Sequence, residues 1–165
     1  MNHATKRLIS GLVIGVLAAA LLVTGVVPFA APAYAADNGG LVAAYKAELA
    51  RLDHEMDRLV HMASRVTDVQ GFIDAQRAKG RDVRNLQAAL NSYKLQIAAV
   101  KPTLNTARAI LIRHAGFDGF KVTDEAPARR TVKDAGDALQ DAGRLMDQAA
   151  KSLENALREY RRRYK

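Results

Sequence analysis

The chain lacks cysteine and tryptophan, has only four prolines, and draws 5% of its 165 residues from the aromatic types. Without cysteine the fold has no disulfide, and a cysteine nucleophile is excluded. The scattered glycines and few prolines do not give the regular turn pattern that many short strands require. A core built on Ala, Leu, Ile and Val favours slim helical packing. We therefore expect an all-α fold with no strand after residue 40.

The N-terminal 35 residues have the pattern of an export signal. Lys6 and Arg7 precede an apolar run over residues 8–27, which Pro28 ends, and Ala33-Tyr34-Ala35 forms an A-x-A cleavage site with small residues at its first and third positions. We expect cleavage after residue 35. The run of about 20 residues is also long enough to span a bilayer, so an uncleaved N-terminal anchor is the alternative. In either case the remainder is expected outside the cytoplasm, as a periplasmic, cell-surface or secreted protein.

A seven-residue unit is written four times between residues 134 and 161, as DAGDALQ, DAGRLMD, QAAKSLE and NALREYR. Large apolar residues recur at one position of the unit and small residues at two others. Apolar spacing of three and then four residues is typical of a coiled-coil-like helix that packs along its length against other helices. The large residues are Leu139, Met146, Leu153 and Tyr160, and the small ones include Ala135, Ala142, Ala149, Gly136 and Gly143.

The periodicity predicts three helices, over residues 38–79, 82–115 and 124–164, in a bundle spanning residues 36–165. Asp37 or Asn38 is expected to cap the first helix, and Thr123 or Asp124 the third. Short connections make neighbouring helices antiparallel, which gives an elongated three-helix bundle. Each helix is expected to be on the order of 50 to 60 Å long.

Glycine and proline mark the predicted helix ends and one irregularity. Gly80 and Gly116 are expected to end the first and second helices in the left-handed conformation. Pro102 lies inside the second helix, where the apolar stripe keeps its phase, so we expect a kink and not a break. Phe117 is expected to fold back on the end of the second helix.

Apolar stripes predict which faces of the first two helices are buried. The first stripe is Val42, Tyr45, Leu49, Leu52, Met56, Leu59, Ala63, Val66, Gln70 and Ile73. The second is Val83, Leu86, Leu90, Tyr93, Ile97, Val100, Leu104, Ala107, Leu111 and His114.

Antiparallel packing predicts a basic pole, where the end of the first helix, the start of the second and the C-terminus meet. Its candidate anion-binding residues are Arg77, Lys79, Arg81, Arg84, Arg158, Arg161, Arg162, Arg163 and Lys165. Three acids, Asp74, Asp82 and Glu159, reduce the net charge to +6, which equals that of residues 36–165 as a whole. The opposite pole is expected to hold Asp37, Asp118, Asp124 and Glu125. Such asymmetry favours binding to a polyanion. The alternative is that the cations complement helix dipoles and keep the protein soluble.

The histidines do not have the spacing that metal-binding and catalytic motifs require. His54-Glu55 begins like a zincin motif, but Arg58 stands where the second histidine must be. His54 and His61 are about 10 Å apart along a helix, too far to share a metal, and are expected on the exposed face. His114 falls on the core stripe, where a capping or hydrogen-bonding role is expected.

The remaining carboxylates do not suggest a catalytic pair. Asp53, Glu55 and Asp57 are expected at flanking or exposed positions beside Arg51 and Arg58, where acids form ion pairs along a helix. No Gly-rich phosphate loop or G-x-S-x-G motif occurs. We expect no enzyme activity, no metal and no cofactor. Nucleic acid is not an expected partner, because export separates the two and no basic-aromatic motif is present.

Two resemblances are carried by particular segments. The stretch HAGFDGFKVTDEAPARRTVKDAGDAL, residues 114–139, resembles small exported bacterial proteins of unknown function and implies no role. Residues 66–70 (VTDVQ) and 122–126 (VTDEA) are degraded counterparts of the L-T-x-x-Q signature of Spy and CpxP. With the small size, export, basic charge and missing cysteine, the chain is similar to these periplasmic chaperones and stress regulators. That resemblance implies a holdase or a stress regulator.

Two functions follow as hypotheses. The first is a non-catalytic exported bundle that binds a partner protein or an anionic envelope surface. The second is a Spy/CpxP-like holdase that shields unfolded clients. A homodimer is compatible with both, because the third helix has small or apolar residues, Ala138 and Leu145, beside its main stripe.

Overall fold

The computed structural model describes residues 38–165, which form a bundle of three helices and one short hairpin. The elements are α1 (Asn38–Ala78), α2 (Arg84–Arg113), β1 (Phe117–Asp118), β2 (Lys121–Val122) and α3 (Glu125–Arg163). The predicted all-α bundle is confirmed. The predicted export signal, its cleavage site and Asp37 lie outside the described residues.

The direction of each helix follows from contacts between them. Tyr45 of α1 donates a hydrogen bond to the carbonyl of Leu111 in α2, and Tyr93 of α2 donates one to the carbonyl of Met62 in α1. Early α1 thus lies beside late α2, so the two helices are antiparallel. α1 and α3 run parallel, since the end of α1 contacts Tyr160 near the end of α3. With 30 residues, α2 is about 45 Å long and shorter than predicted.

The turn between α1 and α2 is a Schellman motif. Gly80 has φ of +73°, in the left-handed region that favours glycine. The N–H of Gly80 donates to the carbonyl of Arg77, and the N–H of Arg81 donates to the carbonyl of Gln76. These bonds satisfy carbonyl groups that the helix end leaves without partners. The predicted stop at Gly80 is confirmed.

α2 continues through Pro102 without a break and ends earlier than predicted. Its left-handed cap is His114, with φ of +39°, and not Gly116. The N–H of His114 donates to the carbonyl of Ile110, and its ring Nδ1 lies 2.6 Å from the carbonyl oxygen of Ile112. The side chain of His114 is exposed, so its predicted place on the core stripe is wrong, while the predicted capping role is confirmed.

The connection from α2 to α3 contains two strands of two residues each, so the expectation of no strand after residue 40 is wrong. Phe117 pairs with Val122, and Asp118 pairs with Lys121, in antiparallel register. Gly116 makes this hairpin fit against α3, because a β-carbon on Gly116 would lie 2.2 Å from the main-chain nitrogen of Ala128. The carbonyl of Gly116 also accepts bonds from the N–H groups of residues 123 and 124.

Phe117 anchors the hairpin on α1. It is buried and stacks on the ring of Tyr45, with centroids 4.6 Å apart. Tyr45 in turn bonds to Leu111 at the end of α2. The aromatic partner of Phe117 is thus a residue from α1, which the prediction of a fold-back onto α2 did not include.

α3 begins at the predicted cap and buries the predicted stripe. The carboxylate of Asp124 accepts a hydrogen bond from the N–H of Ala126, as an N-cap does. The large residues of the seven-residue unit, from Leu139 to Tyr160, are buried. Their small neighbours Ala135, Ala142 and Ala149 are fully buried too. Strict periodicity along one helix therefore predicted this face of the core correctly.

The buried face of α1 differs from the predicted stripe at every second position. There the buried residue is the one that precedes the predicted residue. The seven-residue series that starts at Tyr45 is buried or half-buried as expected. At the alternate positions the core takes Glu48 in place of Leu49 and, seven residues on, Glu55 in place of Met56. Glu48 and Glu55 are only 9% and 7% exposed, so the prediction of a flanking or exposed position is wrong for Glu55.

Glycines of α3 explain how this face of α1 accommodates two acids. A β-carbon on Gly136 would lie 3.1 Å from Oε1 of Glu48, and one on Gly143 would lie 3.5 Å from Oε1 of Glu55. The carboxylates therefore fill the space that the missing side chains leave. Half-buried Leu49 and Met56 pack at the edge of the core.

Candidate functional site

Three segments of the chain meet at the basic pole, as predicted. The hydroxyl of Tyr164 accepts a 2.9 Å hydrogen bond from the N–H of Asp82, which precedes α2. The ring of Tyr160 packs edge-on against Phe72 of α1, with centroids 5.7 Å apart, and its hydroxyl lies 3.4 Å from Oε1 of Gln76. The C-terminal turns of α3 are thus held beside the α1–α2 turn.

The two tyrosines form the apolar floor of this pole. Their rings lie 4.8 Å apart, and the guanidinium of Arg81 lies over the ring of Tyr164 at 5.3 Å. Arg81 also donates a 2.8 Å bond to Gln76. A cation over an aromatic face is attracted by the ring's electron density, which helps to hold the Arg81 guanidinium beside Tyr164. Sequence reasoning placed Tyr160 in the core and overlooked Tyr164, although its spacing of four residues from Tyr160 is a helical signal.

All nine predicted basic residues of the pole are exposed, and they divide into two groups. Three of them have carboxylate partners: Arg77 with Asp74 at 2.7 Å, Arg84 with Asp82 at 2.9 Å, and Arg158 with Glu154 at 3.0 Å. The other six form no ion pair within residues 38–165. These residues are Lys79, Arg81, Arg161, Arg162, Arg163 and Lys165.

Asp82 is kept ionised by basic neighbours at the pole. A side-chain hydrogen bond from Arg84 is the main reason that the pKa of Asp82 falls from 3.8 to about 2. A backbone bond from Arg84 and the charges of Arg84 and Arg163 add to the effect. Arg163 lies in the last turn of α3 and Asp82 lies before α2, so Arg163 is a charge from another segment that acts on Asp82.

A small cleft opens at this pole between the start of α2 and the end of α3. It is lined by Asp82, Asn85, Leu86, Ala156, Glu159, Tyr160 and Arg163. Two carboxylates and one guanidinium face it, so the cleft itself is not the attractive place for an anion. Exposed cations on the outer surface of the pole are better placed to meet one.

The opposite end of the bundle carries Asp118, Asp124 and Glu125, as predicted, together with basic residues. Asp118 is paired in register with Lys121, and Glu125 forms an ion pair with Arg129. The ammonium of Lys46 lies 4.7 Å from the centre of the Phe120 ring in the hairpin. Basic residues thus accompany the acids at this end, and the two ends differ in the density of positive charge.

The histidines and carboxylates of residues 38–165 do not form a cluster of the kind that binds a metal ion. His54 and His61 are exposed on α1, as predicted. Across residues 38–165, no three His, Asp or Glu side chains come close enough together to hold a metal ion. The exposed Asp53 and Asp57 occupy the outer face of α1.

Glu48 and Glu55 are polar groups that sequence reasoning did not identify as buried. Glu55 receives a 3.5 Å hydrogen bond from Arg58, which also bonds to Asp147 of α3. The buried Oε2 of Glu48 lies 3.7 Å from Nη1 of Arg51 and has no hydrogen-bond partner. Their seven-residue spacing matches that of Gly136 and Gly143, and this shared spacing is the signal that could have identified them.

Comparison with known proteins identified no similar protein. No family model, no curated protein and no solved structure matches the chain. Helices α1 to α3 include none that combines the length and the apolar character needed to cross a membrane.

Proposed function

We propose that the protein is an exported, elongated helical bundle that binds an anionic envelope surface through its basic pole, without catalysis. The observation that carries the proposal is the concentration of exposed cations from three chain segments at one end. Six of the nine form no ion pair within residues 38–165. Such cations are available to anionic headgroups or to charged wall polymers.

The way the pole is built supports this proposal over a purely solubilising role. Arg161 to Arg163 complement the dipole at the end of α3, which by itself would explain their presence. Lys79 and Arg81, however, belong to the α1–α2 turn, and Tyr164 holds α3 beside that turn. Solubility does not require cations from separate segments to be held together.

Vesicle binding tests the proposal with a matched pair of variants. Residues 36–165 are used because the apolar run would insert by itself, and because the described core lies between Leu41 and Tyr160. The pole variant carries Arg161→Gln, Arg162→Gln and Lys165→Gln. The control carries Lys94→Gln, Lys101→Gln and Arg108→Gln, which remove three exposed cations from α2.

Each basic residue near an anionic membrane contributes about 1 kcal/mol, so removing three should weaken binding by roughly 100-fold. Sedimentation with phosphatidylglycerol vesicles measures the loss, with phosphatidylcholine vesicles as the neutral reference. The α2 control should retain most of the binding, and salt should weaken it in the parent. Binding that is absent, insensitive to salt or reduced equally in both variants contradicts the proposal.

The holdase alternative has less support from surface composition. In the described residues only four large apolar side chains are exposed, Val60, Leu95, Ile112 and Phe120. They belong to α1, α2 and the hairpin, whereas a client-binding surface needs a contiguous apolar patch. An equimolar aggregation assay with a reduced client protein tests this alternative directly.

Self-association also remains a proposal. Ala138 and Leu145, the residues that suggested a dimer, are half-buried and pack against the bundle's own core. They therefore do not form a spare apolar face. Sedimentation velocity on residues 36–165 distinguishes a monomer from a dimer.

A further inference from the structure

Two sites between α1 and α3 have the same arrangement of side chains and are seven residues apart. The first contains Glu48 and Arg51 of α1 over Gly136 of α3, and the second contains Glu55 and Arg58 over Gly143. In each, a buried glutamate occupies the space above a glycine and forms an ion pair three residues along its own helix. The two sites can therefore be compared directly.

The two sites differ in whether α3 provides a carboxylate that pairs with the arginine. Arg58 bonds to both Glu55 and Asp147, so the second site is tied across the seam by a carboxylate of α3. Seven residues before Asp147 stands Gln140, which is neutral and exposed. The first site lacks the corresponding negative charge on α3.

Glu48 is left less well compensated as a result. Its buried Oε2 forms an ion pair with Nη1 of Arg51 at 3.7 Å but accepts no hydrogen bond. Asp137 of α3, which forms an ion pair with Lys133, repels Glu48. On α2, the residues between the Tyr45–Leu111 and Met62–Tyr93 contacts lie beside this part of α1. Those closest to the level of Glu48 are Leu104, Ala107 and the exposed Arg108. A buried carboxylate with so few partners disfavours its ionised form.

We propose that Glu48 makes the packing of the first half of α1 on α3 dependent on pH. With the carboxyl group neutral, this half of α1 stays closed on the α2–α3 pair. With the group ionised, it opens more often and exposes the apolar surface beneath it.

The direction follows from proton linkage. Burial, opposed by Arg51 and assisted by Asp137, raises the pKa of Glu48 above its ordinary 4.5. The folded state then holds this proton more tightly than the unfolded chain. The stabilising contribution is complete below about pH 4.5 and is lost as pH rises through the raised pKa.

Native-state hydrogen exchange on the purified full-length protein at pH 5 and pH 7.5 tests the proposal. After correction for intrinsic exchange, protection of the α1 amides around Glu48 should fall by more than about twofold between the two pH values. Protection of the α3 amides between Met146 and Leu153 should change less. Equal changes in both helices, or none in α1, would overturn the proposal.

Three variants separate the roles of individual charges. Glu48→Gln should remove the pH dependence and protect α1 at pH 7.5. Glu55→Gln should instead lower protection at both pH values, because Arg58 loses a partner. Asp53→Asn, an exposed acid on the same helix, should leave the pH dependence unchanged. The proposal fails if Glu48→Gln keeps the dependence, or if either of the other two variants abolishes it.

Discussion

The hydroxyl of Tyr45 donates a 2.9 Å hydrogen bond to the main-chain carbonyl of Leu111, across 66 positions of the chain. The carbonyl belongs to the last turn of α2, where carbonyl groups have no partner within the helix. The same ring stacks on Phe117 of the hairpin. One residue of α1 therefore holds both the end of α2 and the start of the connection to α3.

Replacing Tyr45 by Phe should keep the ring stacking and remove the hydrogen bond. The buried carbonyl of Leu111 would lose its partner, so we expect the free energy of unfolding to fall by about 1 to 2 kcal/mol. Urea denaturation measures the change. Tyr164→Phe is the matched control, because its bonds at the pole are exposed and should contribute less. Equal losses in the two variants would contradict the assigned role of Tyr45.

Gly116→Ala should be among the most destabilising single substitutions in the bundle. The new β-carbon would lie 2.2 Å from the backbone nitrogen of Ala128, and φ of +84° adds a left-handed penalty. We expect a loss of more than about 3 kcal/mol, measured by thermal or urea unfolding. Gly119→Ala has φ of +56° but nothing within 4 Å of the β-carbon, so it should cost only about 1 to 2 kcal/mol. Similar losses would mean that the hairpin moves away from α3 at little cost.

Gly71→Ala should stabilise the protein. Gly71 lies in the interior of α1, is exposed, and has nothing within 4 Å of its β-carbon position. Alanine is favoured over glycine inside a helix by about 0.5 to 1 kcal/mol. An increase of that size in the free energy of unfolding is expected from urea denaturation. A decrease would show that this face of α1 has a contact which alanine disturbs.

Ionised Asp82 should stabilise the folded state, and acid should remove this stabilisation. The Asp82→Asn variant lacks it at every pH. Hydrogen bonds from Arg84 lower the pKa of Asp82 to about 2, so the ionised form stabilises the folded state. This contribution is present above about pH 3.8 and is lost as pH falls through about 2. Urea midpoints at pH 5, 3 and 2 should therefore fall more steeply for the parent than for the variant. Parallel curves would contradict the assignment.

Much of the basic pole was predictable, because short connections between long helices determine which ends meet. The nine cations are exposed at the predicted end. Their pairing was not predictable, because it depends on side chains from different segments. Tyr164 and its bond to Asp82 are an example, since the two residues are 82 positions apart. The acids Asp118, Asp124 and Glu125 of the opposite end were predicted, whereas the basic residues Lys121 and Arg129 beside them were not considered.

By itself the sequence determined the three helices, their ends at Gly80 and Asp124, and the buried face of α3. These features depend on interactions within a few residues, namely seven-residue periodicity, glycine at a left-handed position and a carboxylate cap. Tertiary structure decided which face of α1 is buried. Hydrophobicity favoured Leu49 over Glu48, but the space above Gly136 belongs to another helix and exists only once α3 packs against α1.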